Sequence, residues 1–153
     1  MNGTALFVIA LGVCFTSYGV VYARRRASMR ALASRLGFRY FGEAYPATDI
    51  LLVDPLLRIS STSNFIDGER GGIHIVAFDC RVGRGKGSWS TTVLAAKASG
   101  QDVFCATSSI GDLTTDHSGN WVVLQRTKSL SFFPRFIPVE ELEAQINSIR
   151  SQA

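Results

Sequence analysis

One uncharged run near the N-terminus constrains the chain more than any other feature of its sequence. Residues Ala5–Ala23 read ALFVIALGVCFTSYGVVYA, and three arginines, Arg24-Arg25-Arg26, follow at once. As a helix this run would be about 28 Å long, close to the thickness of a bilayer's hydrocarbon core. The run therefore predicts a transmembrane helix over residues 5–23, with a short tail over 1–4 and a basic stop over 24–26.

The flanks of this run favour a retained span over a cleaved signal peptide. Residues 1–4 carry no basic side chain, and Val21-Tyr22-Ala23 is a poor cleavage site. Because basic flanks stay cytoplasmic, we expect the N-terminus outside and residues 27–153 as a cytoplasmic domain. The residues expected to set this topology and to contact lipid are Arg24, Arg25, Arg26, Arg30 and Arg35.

The positive charge of the chain is concentrated beside the predicted span. Residues 1–42 contain six arginines and no acid, which gives +6. The remainder contains ten basic and twelve acidic residues, which gives −2, so the two parts sum to the net charge of +4. The basic character is therefore a property of the membrane flank, and no nucleic-acid partner is expected.

A stripe of small residues follows one face of the predicted span. Its members recur at spacings of four, three and four, which lets two helices approach closely. A homodimer through the span and the general abundance of glycine in membrane helices both account for this stripe. The residues of the stripe are Gly12, Thr16, Gly19 and Ala23.

The rest of the chain predicts an α+β domain. Helical spacing of apolar residues predicts a helix over Ala27–Leu36 capped by Gly37, and a second helix that begins at Pro138. Between them lie strand-like segments, a turn over Gly68–Gly72 and a polar segment over Ile110–Asn120. We expect an antiparallel sheet of about five to seven strands, framed by an N-terminal and a C-terminal helix. The predicted strands are Phe38–Phe41, Asn64–Asp67, Ile73–Val82, Ser90–Ala98, Asp102–Ser108 and Trp121–Thr127, and Asp49–Ile59 is ambiguous, with a short helical turn before Pro55.

Three phrases of this domain resemble a known group of proteins. They are ALASRLGFRYFGEAYP, NFIDGERGGIHIVAFDCRVGRGKG and the closing NWVVLQRTKSL…IPVEELEAQI. The chain resembles a family of uncharacterised bacterial single-pass membrane-anchored proteins, and it departs from their pattern at Cys80 and over Ser129–Phe136. The resemblance implies a bacterial inner-membrane protein and implies no activity.

Two clusters that suggest ligand chemistry have simpler interpretations. The loop Gly83–Ser88 contains glycines and Lys86, but it lacks the spacing of a phosphate-binding loop and precedes a strand, so it predicts a basic hairpin loop. Asp112, Asp116 and His117 suggest a metal site less well than ordinary turn chemistry. We therefore expect no metal and no cofactor.

Asp79 is an acid inside an apolar strand, so it must be hydrogen-bonded or protonated if it points inward. We expect Arg81 or a neighbouring turn amide to satisfy it, while a catalytic acid is the alternative. The three cysteines form no C-x-x-C pair and predict free thiols in a reducing compartment. An enzyme with a site near Asp79, Cys80 and Cys105 therefore stays open as an alternative function.

The segment Phe132-Phe133-Pro134-Arg135-Phe136 concentrates aromatic residues before the last helix. It is suited either to fill the core or to dock at an interface. No nucleophile motif places a catalytic constellation in the chain. The favoured function is an interaction or assembly module without catalytic activity at the inner membrane, with an unknown protein partner. The second alternative is a module that binds anionic lipid surfaces.

Overall fold

The computed structural model describes residues 3–43, 59–83, 85, 88–98, 103–104, 113–118, 121–126 and 136–151. Within the helices and strands, the side chains of 3–5, 8–17, 98, 103–104, 113–118, 126 and 150–151 fall outside the description. The elements are α1 (Gly3–Leu36), β1 (Arg39–Gly42), β2 (Ile59–Arg70), β3 (Ile73–Val82), β4 (Trp89–Ala98), β5 (Val103–Phe104), β6 (Leu113–Ser118), β7 (Trp121–Arg126), α2 (Val139–Ser148) and β8 (Arg150–Ser151).

Six strands form one antiparallel sheet in the order β1-β2-β3-β4-β7-β6, and β5 pairs with β8 separately. Every pairing in the main sheet is antiparallel, including the pair β4 and β7, which are not successive in the chain. Two helices accompany this sheet, so the predicted α+β class is confirmed. The ambiguous segment Asp49–Ile59 lies outside the described residues, apart from Ile59.

Helix α1 is continuous over 34 residues, which corresponds to a length of about 51 Å. The sequence predicts two segments separated by three arginines, but arginine is a good helix former and no glycine or proline interrupts the junction. In the part of the chain that the structure describes, no helix is long and apolar enough to cross a membrane. The span over Ala5–Ala23 therefore stays a prediction from the sequence.

The C-terminal end of α1 has the predicted glycine cap. Gly37 adopts a φ of 71°, and its amide donates to the Ser34 carbonyl at 3.3 Å. The Phe38 amide donates to the Ala33 carbonyl at 2.8 Å, which completes a Schellman motif. This cap turns the chain directly into β1.

The sheet is buried on both faces, as the unbroken apolar run of β3 predicts. Ile75 and Ala77 pack in the core that includes Met29 and Leu32 of α1, whereas Phe78 packs in a second core on the opposite face. Both helices contribute to the first core only. The predicted apolar stripe of α2 is confirmed, since all four of its members are buried: Val139, Leu142, Ile146 and Ile149.

Two hairpins differ from their predictions. The predicted turn covers Gly68–Gly72, but the turn between β2 and β3 contains only Gly71 and Gly72. Their φ values are 57° and 76°, and glycine suits both positions because a two-residue turn of this kind needs positive φ at each. The polar segment Ile110–Asn120 contains a strand, β6, which pairs with β7. Backbone pairing to β7 and the β-branched Thr114 and Thr115 outweigh the polarity of this segment. Of the predicted strand Asp102–Ser108, the structure assigns β5 alone.

Candidate functional site

Asp79 lies in the middle of the sheet and is 1% exposed. It occupies a β3 position on the same face as Ala77, so its carboxylate points toward α1. Arg25 of α1 is 8% exposed and binds both carboxylate oxygens, with Nε 3.0 Å from Oδ2 and Nη2 2.9 Å from Oδ1. This two-bond geometry matches the planar fork of the guanidinium to the carboxylate.

Two neutral side chains complete the coordination of the carboxylate. Asn64 Nδ2 donates to Asp79 Oδ2 at 2.9 Å, and Thr92 Oγ1 donates to Asp79 Oδ1 at 2.6 Å. With the two bonds from Arg25, each carboxylate oxygen accepts two hydrogen bonds. An ionised carboxylate has about four lone-pair sites, so its accepting capacity is filled. Asp79 is thus a buried charge whose desolvation is offset by one cation and two donors.

Asn64 reaches this position through an irregular backbone. The pairing of β2 with β3 shifts between Ser63 and Ile66, and Asn64 adopts a φ of 53° within that bulge. Asparagine tolerates this left-handed conformation better than most residues. The Tyr40 hydroxyl donates to Asn64 Oδ1 at 2.9 Å, which fixes the orientation of the amide. The bulge therefore aims one side chain at the ion pair.

The same network fixes the entry into α2. Arg25 Nη1 donates to the Ile137 carbonyl at 2.7 Å, and the Ile137 amide donates to Thr92 Oγ1 at 3.1 Å. The Phe136 ring centroid lies 5.3 Å from Arg25 Cζ, and Tyr22 packs edge-on against Phe136 at 5.8 Å between centroids. Arg25 consequently connects α1, the sheet and the residue that leads into α2.

This network is suited to hold the structure together and not to act on a substrate. A carboxylate with all of its accepting positions filled neither takes a proton from a substrate nor reaches one. Cys80, the next residue of β3, lies on the opposite face, and burial raises the pKa of its thiol to about 12. A reactive cysteine needs a lowered pKa and access to solvent. Cys105 lies outside the described residues.

The predicted partner of Asp79 is wrong. Arg81 is exposed, and its Nε and Nη2 atoms donate to Ser88 Oγ at 2.8 and 2.6 Å. The side chain that pairs with Asp79 is Arg25, 54 positions away in the sequence. The sequence contains an indirect signal for it, since a buried carboxylate requires a cation and five arginines precede the sheet. The helical spacing of Arg25 with Met29 and Leu32 is a second signal, but it applies only because the helix continues through the arginines.

This burial also corrects the prediction that Arg25 contacts lipid. Its guanidinium is committed to Asp79, Thr92 and the Ile137 carbonyl, so it is directed into the domain. The register of α1 explains the difference, because Arg25 shares one helix face with Met29 and Leu32.

The other predicted lipid-contact arginines are exposed. Arg26 Nη1 lies 3.9 Å from Glu43 Oε1, and Arg30 stacks over the Tyr40 ring at 5.3 Å. Arg35 Nη2 donates to Glu143 Oε2 at 2.6 Å, and this contact raises the pKa of Arg35 and lowers the pKa of Glu143. Exposed pairs of this kind contribute little to stability. Arg24 is exposed on the same helix.

The predicted dimer stripe is described in part. Gly19 and Ala23 are exposed, and a Cβ built at Gly19 would meet nothing within 4 Å. The surroundings of Gly12 and Thr16 fall outside the description, so the dimer stays a prediction.

A second polar cluster crosses the face of the sheet that is opposite α1. His74 Nε2 lies 2.5 Å from Asp67 Oδ1, and Arg39 Nη2 donates to Asp67 Oδ2 at 2.5 Å. The Trp121 ring lies 5.4 Å from both the His74 ring and Lys97 Nζ. Each residue has a neighbour on an adjacent strand, so we interpret this cluster as cross-strand side-chain pairs that stabilise the sheet.

The remaining predicted sites fall largely beyond the description. The Gly83–Ser88 loop joins two strands, as predicted, and the Ser88 amide donates to the Gly85 carbonyl at 3.2 Å. Asp112 lies outside the described residues, as do the side chains of Asp116 and His117. No set of three or more metal-ligating side chains occurs among the side chains that are described. Phe132 and Phe133 are outside the description, and Phe136 is half-buried against Tyr22 and Arg25.

Comparison with known proteins found no matching family model, no matching curated protein and no matching solved structure. The resemblance to bacterial membrane-anchored proteins therefore stays a prediction from the quoted motifs.

Proposed function

We propose that this protein is a single-pass protein of the bacterial inner membrane, with its N-terminus outside and its α+β domain in the cytoplasm. The domain serves as an interaction or assembly module and carries no catalytic activity. The uncharged run Ala5–Ala23 and the arginines on its C-terminal side support this orientation. The bilayer is the first partner, and a protein at the cytoplasmic membrane surface is the second.

The observation that carries the proposal is the contrast between the two halves of α1. From Tyr22 onward one face of α1 packs against the domain, and Arg25, Met29 and Leu32 on that face are buried. On the N-terminal side, the large apolar side chains that are described are all at least half exposed. They are Leu6, Phe7, Tyr18, Val20 and Val21, with 52, 67, 56, 50 and 54% of their surface exposed. Apolar surface of this extent indicates a covering phase, which lipid supplies.

The chemistry of the domain supports a module without catalytic activity. Asp79, the most buried acid among the described residues, has its accepting positions filled by Arg25, Asn64 and Thr92. The adjacent Cys80 thiol is held protonated by burial. Of the three residues on which the alternative enzyme site depends, Asp79 is thus occupied and Cys80 is inert, while Cys105 lies outside the described residues.

Carbonate extraction and topology reporters test the anchor. We expect the full chain to stay in the membrane pellet at alkaline pH. A reporter enzyme that is active only in the cytoplasm should be active when fused to the C-terminus, and one that is active only outside the cytoplasm should be inactive there. Replacing Ile9 and Val13 by arginine should release the protein, because each central charge costs about 3 kcal/mol on insertion. Replacing both by leucine is the matched control and should leave the protein in the pellet. Release of the unmodified chain would overturn the proposal.

Crosslinking in intact membranes followed by affinity purification tests the module. We expect a protein partner to be recovered with the full chain and to be depleted when Asp79→Leu destabilises the domain. Recovery of the full chain alone would contradict an interaction module while leaving the anchor unaffected.

A further inference from the structure

Helix α1 leaves the domain at one defined end of the sheet. Phe38, just past the C-terminal end of α1, lies against Gly68, which pairs with Ile75 of β3. Arg25, nearer the N-terminus of α1, binds Asp79 of β3 and Thr92 of β4. The contacts therefore move toward the start of β4 as α1 runs toward its N-terminus. Ser90 pairs with Arg81, near the end of β3. The helix thus emerges beside the hairpin that joins β3 to β4.

This end of the sheet carries aromatic side chains that are not fully buried. Tyr18 is exposed, Tyr22, Trp89 and Phe136 are half-buried, and the Tyr18 hydroxyl donates to the Tyr22 oxygen at 2.7 Å. Tyrosine and tryptophan combine an apolar ring with a polar group, which suits them to the boundary between lipid and water.

Cationic side chains accompany these rings. Arg81 is exposed on β3 beside the hairpin, and Arg24 and Arg26 are exposed on α1 next to Tyr22. Glu43 is the acid that faces Arg26 across 3.9 Å, and the Asp79 charge is neutralised by Arg25. Among the side chains that the structure describes here, three exposed arginines against one exposed carboxylate give this end a positive balance, which favours an anionic surface.

The opposite end of the sheet differs in position and in contacts. β3 runs about 33 Å from Ile73 to Val82, and the Gly71-Gly72 turn lies at the far end. There, Arg70 bonds to Asn147 of α2, and Trp121 is 3% exposed beside Lys97. The two tryptophans of the chain therefore mark opposite ends of the sheet.

We propose that the end of the sheet formed by Tyr22, Arg81, Trp89 and Phe136 lies in the headgroup layer of an anionic bilayer. The domain then binds lipid directly and is not suspended on a linker. This inference rests on the proposed membrane anchor. It commits to phospholipid because α1 continues from this end into the uncharged run, which places the same bilayer beside these side chains.

Quenching of tryptophan fluorescence by lipid tests this contact in the full chain. The vesicles contain phosphatidylglycerol and a phosphatidylcholine brominated near the carbonyl end of its acyl chains. Trp121→Phe leaves Trp89 as the only tryptophan, and Trp89→Phe leaves Trp121. A third variant combines both changes with Arg70→Trp, which places an exposed tryptophan at the far end. We expect quenching of Trp89 and none at the two far positions.

A charge-reversal pair separates electrostatic contact from simple proximity. With Trp89 as the reporter, Arg81→Glu should lower the quenching, whereas Arg70→Glu should leave it unchanged. Zwitterionic vesicles should weaken the quenching of Trp89 as well, because the arginines lose their anionic partners.

Vesicle flotation distinguishes failure of this inference from failure of the anchor. If the protein floats with the vesicles and Trp89 is not quenched, the headgroup contact is overturned and the anchor stands. If the protein does not float, both are overturned. Equal effects of Arg81→Glu and Arg70→Glu would overturn the electrostatic contact.

Discussion

At the scale of single residues, Asp79 and Cys80 show that consecutive residues of a strand buried on both faces can lie in very different surroundings. The Asp79 side chain meets one cation and two neutral donors on the α1 face. The Cys80 side chain meets the apolar second core, with Phe78 and Val93. Both side chains are therefore buried, but one is surrounded by a cation and hydrogen-bond donors and the other by apolar groups.

The thiol of Cys80 predicts a pH dependence of stability. Burial, with a further contribution from the Asp79 charge, raises the pKa of this thiol from 9.0 to about 12. Above pH 9 the unfolded chain releases this proton while the folded chain keeps it, so stability is full at lower pH and declines through this window. The free energy of unfolding should fall by about 1.4 kcal/mol for each pH unit between the two values.

The measurement is denaturant unfolding of the full chain in micelles at several pH values. Cys80→Ala is the control, since it removes this group and leaves all other titrations in place. The slope against pH should be shallower in the variant. Identical slopes would mean that the thiol ionises as readily in the folded protein as in the unfolded one.

The sequence predicted that Asp79 needs hydrogen-bonding partners, but it did not identify them. An acid inside an apolar strand requires partners, and that requirement places Asp79 in a hydrogen-bonded role. Its partners come from α1, β2 and β4, and only the packing of α1 on the sheet brings them together. Arg81 is closer in sequence, but it lies near the end of β3, where its side chain is exposed and bonds to Ser88.

At the scale of elements, the junction between α1 and β1 depends on a close approach to β2. The Schellman cap directs Phe38 over Gly68, where a Cβ would overlap the aromatic ring. The absence of a side chain at Gly68 is therefore a packing requirement of the α1–β1 corner.

Gly68→Ala tests this corner. We expect a loss of about 1–3 kcal/mol in the free energy of unfolding, because the added methyl group displaces the Phe38 ring. Gly19→Ala is the matched control, since a Cβ there meets nothing within 4 Å and alanine favours the helix. Phe38→Leu in the Gly68→Ala background should recover part of the loss. No change in stability for Gly68→Ala would contradict the close approach.

Elements with strong periodicity were predictable, and those defined by pairing were not. Helix α2 follows from its apolar stripe, and β3 follows from its unbroken apolar run. Strand β6 forms by pairing with β7, and this backbone partner cannot be identified from the local sequence of a polar segment. The sequence did not predict that α1 is continuous, because three arginines mark the end of a predicted span. Arginine does not end a helix, and α1 continues through all three.

At the scale of the whole molecule, α1 is one helix that belongs both to the domain and to the proposed anchor. A flexible linker would let the domain tilt freely against a bilayer, whereas a continuous helix transmits its orientation. Arg25 controls this geometry, because it fixes α1 against both the sheet and Ile137. We therefore expect the buried pair to specify the position of α1 more than it stabilises the fold.

A double substitution separates these two roles. Asp79→Leu alone should lose about 3–5 kcal/mol of stability, because it leaves the Arg25 charge buried without its anion. Arg25→Met with Asp79→Leu should recover most of this loss, since apolar replacement of a buried ion pair is often neutral. Spin labels at Val20→Cys and Arg70→Cys, in a background without other cysteines, report the position of α1 relative to the sheet. The distance distribution should be narrow for the native pair and broad for the double variant. A narrow distribution in both would show that apolar packing alone sets the helix position, and the ion pair would then have no role in specifying it.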